Sequence, residues 1–231
     1  TDSAGDYEFG LDLDLKPGEY RLVEQQPDGY LDVGAEAGTL EGVTTGTVGD
    51  DAAGNANIIG NISIPLGGTA ATDYDFKEVR PASIAGNVWH DENNDGVFDP
   101  NEQGIANVLI QVTRVGAKPG VAEDPFAGTE PITVRTDANG HYSVEQLPPG
   151  IYEVVEINNY PDGNDPLAPF VDGKDSVGNV AGTPNGTGSN DQVTQIELCA
   201  DDAGVEYNFG EIKTASIGGY VSVDTPGGNK L

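Results

Sequence analysis

The feature that most constrains this chain is that it repeats itself over the length of a whole domain. Four segments recur in the same order, and the paired positions lie 132 to 135 residues apart. Solenoid repeats have periods of about 20–50 residues, so this period indicates complete domains in tandem. The recurring pairs are 1–7 with 136–142, 15–24 with 147–156, 73–76 with 206–209, and 82–86 with 215–219.

The phase of the repeat predicts where the units begin. If a unit starts at Ala82, residues 82–214 form one complete β-sandwich repeat. Residues 1–81 are then the C-terminal part of the preceding repeat, and residues 215–231 start a further one. We therefore expect the chain to be a piece of a longer array with more copies on both sides.

Short clusters of Val, Ile, Leu, Tyr and Phe, bounded by Gly, Pro, Asn and Asp, indicate β-strands joined by turns. The 33 Gly and 15 Pro would interrupt a long helix. About seven short strands per unit are typical of a sandwich, so the sequence predicts an all-β fold of tandem antiparallel β-sandwiches. The predicted strands are 6–10, 18–25, 57–64, 72–80, 82–90, 106–114, 131–136, 141–145, 150–157, 193–199 and 205–211.

One recurring motif predicts a hairpin turn. Residues 136–142 read Thr-Asp-x-x-Gly-x-Tyr, and the same pattern occupies residues 1–7. The side chain of Asp137 or Asn139 can close such a turn, and Gly140 adopts a positive φ at little cost. The aromatic residues at alternate strand positions are expected to pack in the core.

The charge balance limits the kinds of molecule that the protein can bind. With 39 Asp and Glu against 10 Lys and Arg, the formal net charge is −29. Such a surface repels nucleic acid and anionic membranes, and divalent cations would relieve its self-repulsion. No apolar run approaches the roughly 18 residues of a membrane-spanning helix. The single Cys199 has no disulfide partner in the chain and is expected to be a small buried residue, which leaves a metal as the candidate staple.

A candidate calcium site follows the first strand of the complete unit. Residues 91–102 match the EF-hand loop pattern position by position, with Gly96 at the sharp bend. Ca²⁺ takes six to eight hard oxygen ligands, which alternate residues of a curling loop can supply, Val97 through its carbonyl group. Phe98 is expected to fasten the loop to the core. The predicted metal ligands are Asp91, Asn93, Asp95, Val97, Asp99 and Glu102.

Two alternatives stay open at this point. Asp, Asn and Gly also form turns without any metal, although turns alone do not explain five oxygen-bearing side chains at EF-hand intervals. A second cation site is a further hypothesis, since acidic residues also gather elsewhere. The candidates are Asp172, Asp175, Asn190 and Asp191, with Asp32, Glu36, Asp50 and Asp51 at similar places in the first unit.

Residues for catalysis are sparse, and no catalytic residue is predicted. The two histidines, His90 and His141, lack a partner motif for nucleophilic catalysis. One Cys and two distant His do not make a zinc site. Many pairs of acidic residues could serve as the two catalytic carboxylates of a glycosidase, but no segment of the sequence identifies one such pair. We expect a protein that is not an enzyme.

The unit resembles the SdrD B-like repeat, a Cna B-type, prealbumin-like β-sandwich of bacterial cell-surface proteins. The resemblance implies an extracellular, calcium-stabilised structural repeat that forms a stalk, adhesin shaft or filament. Its expected partners are calcium, neighbouring repeats and other copies in a filament. A module that binds a host protein or glycan, or an accessory segment of a larger surface enzyme, is the alternative. The segments that carry the resemblance are 83–89, 91–102, 104–108, 136–142 and 147–152.

Some Cna B-type domains carry an internal Lys–Asn isopeptide bond. The first strand of the complete unit, 82–90, contains no Lys, although Asn208 lies in the last strand. We therefore predict no such crosslink here.

Overall fold

A computed structural model describes residues 1–10, 13, 15–49, 56–158, 160 and 163–223. The secondary-structure elements in these ranges are all β-strands. The first eight are β1 (Gly18–Val23), β2 (Leu31–Glu36), β3 (Thr39–Leu40), β4 (Val43–Thr44), β5 (Thr47–Val48), β6 (Ile58–Ile64), β7 (Ala71–Thr72) and β8 (Asp75–Val79).

Thirteen more strands follow from Ala82 onward. They are β9 (Ala82–His90), β10 (Gln103–Gly104), β11 (Leu109–Gly116), β12 (Ile132–Arg135), β13 (His141–Leu147), β14 (Gly150–Ile157), β15 (Val171–Asp172), β16 (Asn179–Val180), β17 (Thr183–Pro184), β18 (Thr187–Ser189), β19 (Gln192–Leu198), β20 (Ala203–Val205) and β21 (Phe209–Ile212). None of the described residues forms a helix long and apolar enough to cross a membrane.

Two sheets enclose the core of the second unit. One has the order β15-β21-β9-β20-β16-β17, with β10 and β13 also paired to β9, and the other has the order β12-β11-β14-β19-β18. The strands β20 and β21 run parallel to β9, whereas the other pairs are antiparallel. Their inward faces form one hydrophobic cluster that extends from Ala82 to Phe209. This all-β sandwich confirms the predicted fold class.

Alternation of apolar residues explains why these segments form strands. In β14, the residues at every second position from Gly150 are buried, so one face of the strand meets the core. The aromatic residues expected in the core are there: Tyr142, Tyr152, Tyr207 and Phe209 are all buried. The hydroxyl of Tyr142 donates a hydrogen bond of 2.7 Å to the carbonyl oxygen of Tyr207, which satisfies a polar group inside the core.

The first unit is built on a smaller core. Its sheets have the orders β1-β6-β5, β2-β8 and β4-β3-β7. Ile59, Ile62 and Tyr74 form its buried cluster, with partly buried neighbours such as Tyr20 and Phe76 around them. Among the described residues, fewer side chains are buried here than in the second unit, so their burial contributes less hydrophobic stabilisation.

The Asp turn predicted from this motif is present in both units, but the prediction that it closes a hairpin is wrong. In the second unit β12 pairs with β11 and β13 pairs with β9, so the turn connects the two sheets. The Asp137 carboxylate accepts hydrogen bonds from the backbone N–H groups of Asn139, at 2.7 Å, and His141, at 3.0 Å. In the same way, Asp2 accepts from Ala4 at 2.8 Å and from Asp6 at 3.0 Å. The sequence repeat is therefore also a repeat of local structure.

Several predicted strands differ from those observed. Residues 6–10 form no strand, and Phe9 is 52% exposed. The strand expected from residue 106 begins at Leu109, because Asn107 adopts a φ of 66° in the preceding turn. The strand expected over 205–211 divides into β20 and β21, since Glu206 has a φ of 64°. Left-handed backbone interrupts the extended conformation in both places.

The prediction that Cys199 is buried is wrong, since this residue is exposed. Leu198 is the last inward-facing residue of β19, and the chain turns immediately after it. The backbone N–H of Cys199 donates to the Asp202 carboxylate at 2.7 Å, while its sulfur lies 2.9 Å from Nζ of Lys118.

Candidate metal centre

Loop 91–102 is held at both ends by one strand. It leaves β9 after His90 and returns through β10, where Gln103 pairs with His90 and Gly104 pairs with Trp89. The flanks of the loop are therefore strands, as predicted, and not the helices of a helical EF-hand. This hairpin brings the first and last positions of the loop together.

Carboxylates at the two ends of the loop bind its backbone. The buried carboxylate of Asp91 accepts hydrogen bonds from the N–H groups of Asp95, at 3.1 Å, and Gly96, at 2.8 Å. Glu102, which is 9% exposed, accepts from Glu92 at 2.9 Å and from Asp99 at 3.0 Å. The loop thus curls around its own acidic side chains.

Side chains in the exposed middle of the loop also accept hydrogen bonds from the loop backbone. The Asn93 side-chain oxygen accepts from the N–H of Asp95 at 3.0 Å, and a carboxylate oxygen of Asp95 accepts from the N–H of Val97 at 2.8 Å. The Val97 side chain is 57% exposed, which leaves its carbonyl group as the relevant ligand. The oxygen donors at Asp91, Asn93 and Asp95 are of the hard type that Ca²⁺ prefers.

Phe98 packs the loop against the sandwich, and Gly96 allows a neighbouring segment to approach the loop closely. The Phe98 ring lies 5.6 Å, centroid to centroid, from the ring of the fully buried Trp89. Gly96 adopts a φ of 83°, and a Cβ at this position would come 3.3 Å from the side chain of Lys174. The sharp bend therefore favours glycine both for its backbone conformation and for the close approach of a neighbouring segment.

A second group of acidic residues lies beside the loop, and we call it the carboxylate pocket. In the described ranges, three carboxylates approach within 4.8 Å of one another in two overlapping groups that share Asp191. One group adds Glu156 and Glu211, and the other adds Asp172 and Asp175. The pocket therefore consists of Glu156, Asp172, Asp175, Asp191 and Glu211.

Four parts of the fold contribute to the carboxylate pocket. Glu156 is on the inward face of β14, and its N–H donates to the carbonyl oxygen of Asp191 in the β18–β19 turn at 2.9 Å. Asp172 in β15 is the direct partner of Glu211 in β21. The Asp191 N–H donates at 2.9 Å to a carboxylate oxygen of Asp175, which follows β15. Sheet pairing thus assembles residues that are up to 55 positions apart.

Burial and mutual repulsion dominate the electrostatics of the pocket. Glu156 and Glu211 are only 2% and 3% exposed. Burial, together with the charge of Glu211, raises the pKa of Glu156 to about 10. Burial also raises the pKa of Glu211 to about 7, that of Asp175 to about 7 and that of Asp172 to about 6. The ion pairs of the described residues include none of these carboxylates.

The sequence predicted only part of this pocket. Asp172, Asp175 and Asp191 are in it, whereas the Asn190 side chain donates a hydrogen bond to Asp191 at 3.1 Å. Glu156 and Glu211 were missed. A charged residue in the inward-facing series of a strand, as at Glu156, is the signal that could have revealed them. Asp50 and Asp51 lie outside the described residues.

Asn208, which was expected in the last strand, lies just before β21 and bears on the predicted absence of a crosslink. The Asn208 side-chain oxygen accepts hydrogen bonds from the backbone N–H of Asn87, at 2.8 Å, and from its side-chain amide, at 3.2 Å. The residue of β9 that contacts Asn208 is therefore an amide and not a lysine.

Comparison with known proteins places the fold in a family. The family model described as "SdrD B-like domain" matches residues 82–210. The chain belongs to this family. It is also 30% identical over 152 residues, 66% of its length, to serine-aspartate repeat-containing protein F of Staphylococcus epidermidis. Serine-aspartate repeat-containing protein D of Staphylococcus aureus is 30% identical over 160 residues, 67% of this chain. The chain spans only 8% and 10% of these two relatives.

Solved structures with some similarity include two pilins. The major pilin BcpA of Bacillus cereus has 10% identity and a TM-score of 0.36, with 86% of this chain and 60% of that chain covered. The minor pilin GBS52 of Streptococcus agalactiae has 14% identity and a TM-score of 0.33, with 70% and 60% covered. We base the fold assignment of this SdrD B-like chain on its own sheets.

Proposed function

We propose that this chain is a calcium-stabilised structural repeat of an extracellular bacterial surface protein, part of a stalk, adhesin shaft or filament. Its units would be 1–81, 82–214 and 215–231. The observation that carries the calcium part is loop 91–102, in which Asp91 and Glu102 at opposite ends both turn inward onto the loop backbone.

The chemistry of the loop fits Ca²⁺. Carboxylate, amide and carbonyl oxygens from Asp91, Asn93, Asp95, Val97, Asp99 and Glu102 would hold the ion. The bound ion would supply positive charge that draws these oxygens together and fixes the hairpin between β9 and β10. Because the array is expected outside the cell, calcium at millimolar levels would keep the loop occupied.

The link between the units supports a mechanical role. Strand β8 ends at Val79 and β9 begins at Ala82, so only Arg80 and Pro81 connect them. The proline ring fixes one backbone torsion of this short link. The Arg80 guanidinium lies 5.4 Å from the centre of the Tyr30 ring and 3.7 Å from the Asp201 carboxylate. It therefore contacts residues on both sides of the junction.

Thermal unfolding of the 231-residue chain in calcium and in chelator tests the calcium part. An ion at a hundredfold excess over its Kd stabilises the folded state by about 2.7 kcal/mol. For a chain of this size, that corresponds to a rise of roughly 5–10 °C in Tm. The double variant Asp91→Ala, Glu102→Ala is expected to lose this rise. An unchanged rise in the variant would refute loop 91–102 as the site.

A charge-matched control distinguishes calcium binding at loop 91–102 from general screening of the protein's negative charge by calcium. Glu123 and Glu130 are exposed residues outside the loop, so Glu123→Ala with Glu130→Ala removes the same formal charge. This control is expected to keep the full calcium response. A loss equal to that of the loop variant would indicate non-specific screening.

A further inference from the structure

Arg80, the first residue of the link between the two units, is held by an aromatic ring of the first unit. It directly follows β8, and Tyr30 directly precedes β2. Because Leu31 pairs with Val79 across these two strands, the residues just beyond the pair lie side by side. The Arg80 guanidinium carbon lies 5.4 Å from the centroid of the Tyr30 ring, which is within the range of a cation–π contact.

The charge of Arg80 faces an acidic turn of the second unit. This turn joins β19 to β20 and contains Asp201, whose carboxylate oxygen lies 3.7 Å from a guanidinium nitrogen of Arg80. The turn is tied to the start of β9, because the backbone N–H of Ser83 donates to the carbonyl oxygen of Asp202 at 2.9 Å. The N–H of Cys199 donates to the Asp202 carboxylate at 2.7 Å and closes the turn. The protein therefore holds a carboxylate beside the link.

We propose that this arrangement is a clasp between repeats, in which the cation that follows the last strand of one unit is seated on an aromatic ring of that unit and binds an acidic turn of the next. The surface around Arg80 is thus an interface for a neighbouring repeat whose β19–β20 turn carries a carboxylate. The clasp rests on the proposed stalk or filament only for its use, since its contacts lie within the 231-residue chain. Loop 91–102 contributes no residue to it.

The end of the second unit carries the first half of the same clasp. Lys213 directly follows β21, Phe170 directly precedes β15, and Val171 pairs with Ile212. This is the register already described between β2 and β8. Nζ of Lys213 lies 5.3 Å from the centroid of the Phe170 ring, against which the His90 ring packs at 5.4 Å in a T-shaped contact. A cation on an aromatic ring therefore recurs at the same place in both units, although the residue types differ.

The acid of the clasp is particular to the second unit. The position equivalent to Asp201 in the first unit, 133 residues earlier, is Gly68. Both residues have left-handed backbone, with φ values of 67° for Asp201 and 82° for Gly68. Glycine adopts this conformation at the least cost, so the turn itself does not require a carboxylate. The contact with Arg80 across the junction gives the side chain of Asp201 a role.

The clasp acts on the orientation of the units and not on their folding. Arg80 and Pro81 form the whole link, and the proline ring fixes one of its torsions. The side chains of Arg80 and Asp201 are 57% and 70% exposed, and exposed ion pairs add little stability and are weakened by salt. A weak contact still selects among the few orientations that so short a link allows. We therefore expect salt to loosen the orientation.

Residual dipolar couplings of the full 231-residue chain, recorded in calcium at low salt, test the clasp. Couplings from the two units are expected to fit one alignment tensor in the wild type and to need two different tensors in Arg80→Gln. Arg80→Lys is expected to keep the single tensor, because Lys213 makes the same kind of ring contact with Phe170. Separate tensors in the wild type, or wild-type couplings in Arg80→Gln, would overturn the proposal.

Three further variants show whether the loss is specific. Lys77→Gln removes the same charge from β8, but its ion pair is with Glu36 of the same unit. Lys213→Gln removes the ring contact at the far end of the second unit. Both are expected to keep the wild-type couplings, whereas Asp201→Asn is expected to give the same loss as Arg80→Gln. A loss of the common tensor in Lys77→Gln, or its retention in Asp201→Asn, would contradict the clasp.

The calcium response keeps this test independent of the proposed function. Arg80→Gln is expected to keep the full rise in Tm on addition of calcium, because the clasp lies outside loop 91–102. If the couplings change while this rise persists, the clasp stands in a folded, calcium-responsive chain. If the couplings stay unchanged while the rise persists, the clasp fails and the calcium-stabilised repeat stands.

Discussion

Loop 91–102 and the carboxylate pocket are both acidic, but they are built in opposite ways. The loop is one run of sequence, and its carboxylates at Asp91 and Glu102 accept N–H groups of their own backbone. The pocket draws on residues from Glu156 to Glu211, and five of its carboxylate oxygens have no hydrogen bond. A local motif can satisfy its carboxylates with its own backbone, whereas this pocket, formed by tertiary contacts, leaves buried carboxylate oxygens without a hydrogen-bond partner.

The largest expected effect is the response of loop 91–102 to calcium. If the ion adds about 2.7 kcal/mol at a hundredfold excess over its Kd, the wild type gains this amount and the double variant Asp91→Ala, Glu102→Ala gains none of it. Chemical denaturation with and without chelator measures the gain. A gain that the loop variant keeps would contradict loop 91–102 as the site.

The pH dependence in chelator should come from the pocket. Glu211 and Asp175 each have a folded-state pKa raised to about 7, above the usual value near 4 of an unfolded carboxyl group. The folded state then binds protons more tightly than the unfolded state. Its extra stability is present at low pH and is lost as pH rises from about 4 through about 7. The loss is on the order of 2 kcal/mol after allowance for solvent at the pocket edge.

The variant Asp175→Asn should flatten this dependence, because it removes one of the two groups whose pKa is raised to about 7. Denaturation of the variant and the wild type between pH 5 and pH 8 in chelator measures the change. An unaltered slope would show that Asp175 does not contribute to the pH dependence.

The same substitution should differ in effect at the two regions in chelator. The pKa of Glu156 is raised to about 10, so this side chain is protonated at neutral pH, and Glu156→Gln exchanges one neutral group for another with little effect on the free energy of unfolding. Glu102→Gln weakens two charge-assisted hydrogen bonds from Glu92 and Asp99 and is expected to lower this free energy by about 1 kcal/mol. Chemical denaturation measures both. Equal losses would contradict the contrast between a self-satisfied loop and a buried pocket.

The smallest expected difference is between two matched glycine variants, one of which lies at the bend of the loop. Gly96→Ala places a side chain at a φ of 83°, which costs about 1–2 kcal/mol. Gly128→Ala is the matched control, since its φ is 77° and a Cβ there has open space. In chelator the two variants should be destabilised equally, to within a few tenths of a kcal/mol, because the Lys174 side chain can move away from the new Cβ at position 96. Only Gly96→Ala should also lose calcium affinity, which titration calorimetry would measure.

Much of the fold was predictable because alternation is a local property. Strands such as β9 and β14 were located from their apolar residues, and the turn at Asp137 from its Asp and Gly. That this turn connects two sheets and closes no hairpin depends on how β12 and β13 pair with distant strands. The strand expected over 6–10 was wrong, because an apolar pattern does not supply a neighbouring strand to pair with. The exposure of Cys199 was missed for a related reason, since the end of β19 is set by the turn that follows it.

The sequence by itself determined the repeat, the strand-rich fold and the EF-hand pattern of 91–102, since each depends on residues close together in the chain. Only the tertiary structure decided that Glu156 and Glu211 join Asp172, Asp175 and Asp191. Their spacing along the chain carries no periodic signal, and the register of β15 on β21 and of β14 on β19 brings them together. Burial then turns five ordinary carboxylates into a set that repels itself, because charges far from water are poorly screened.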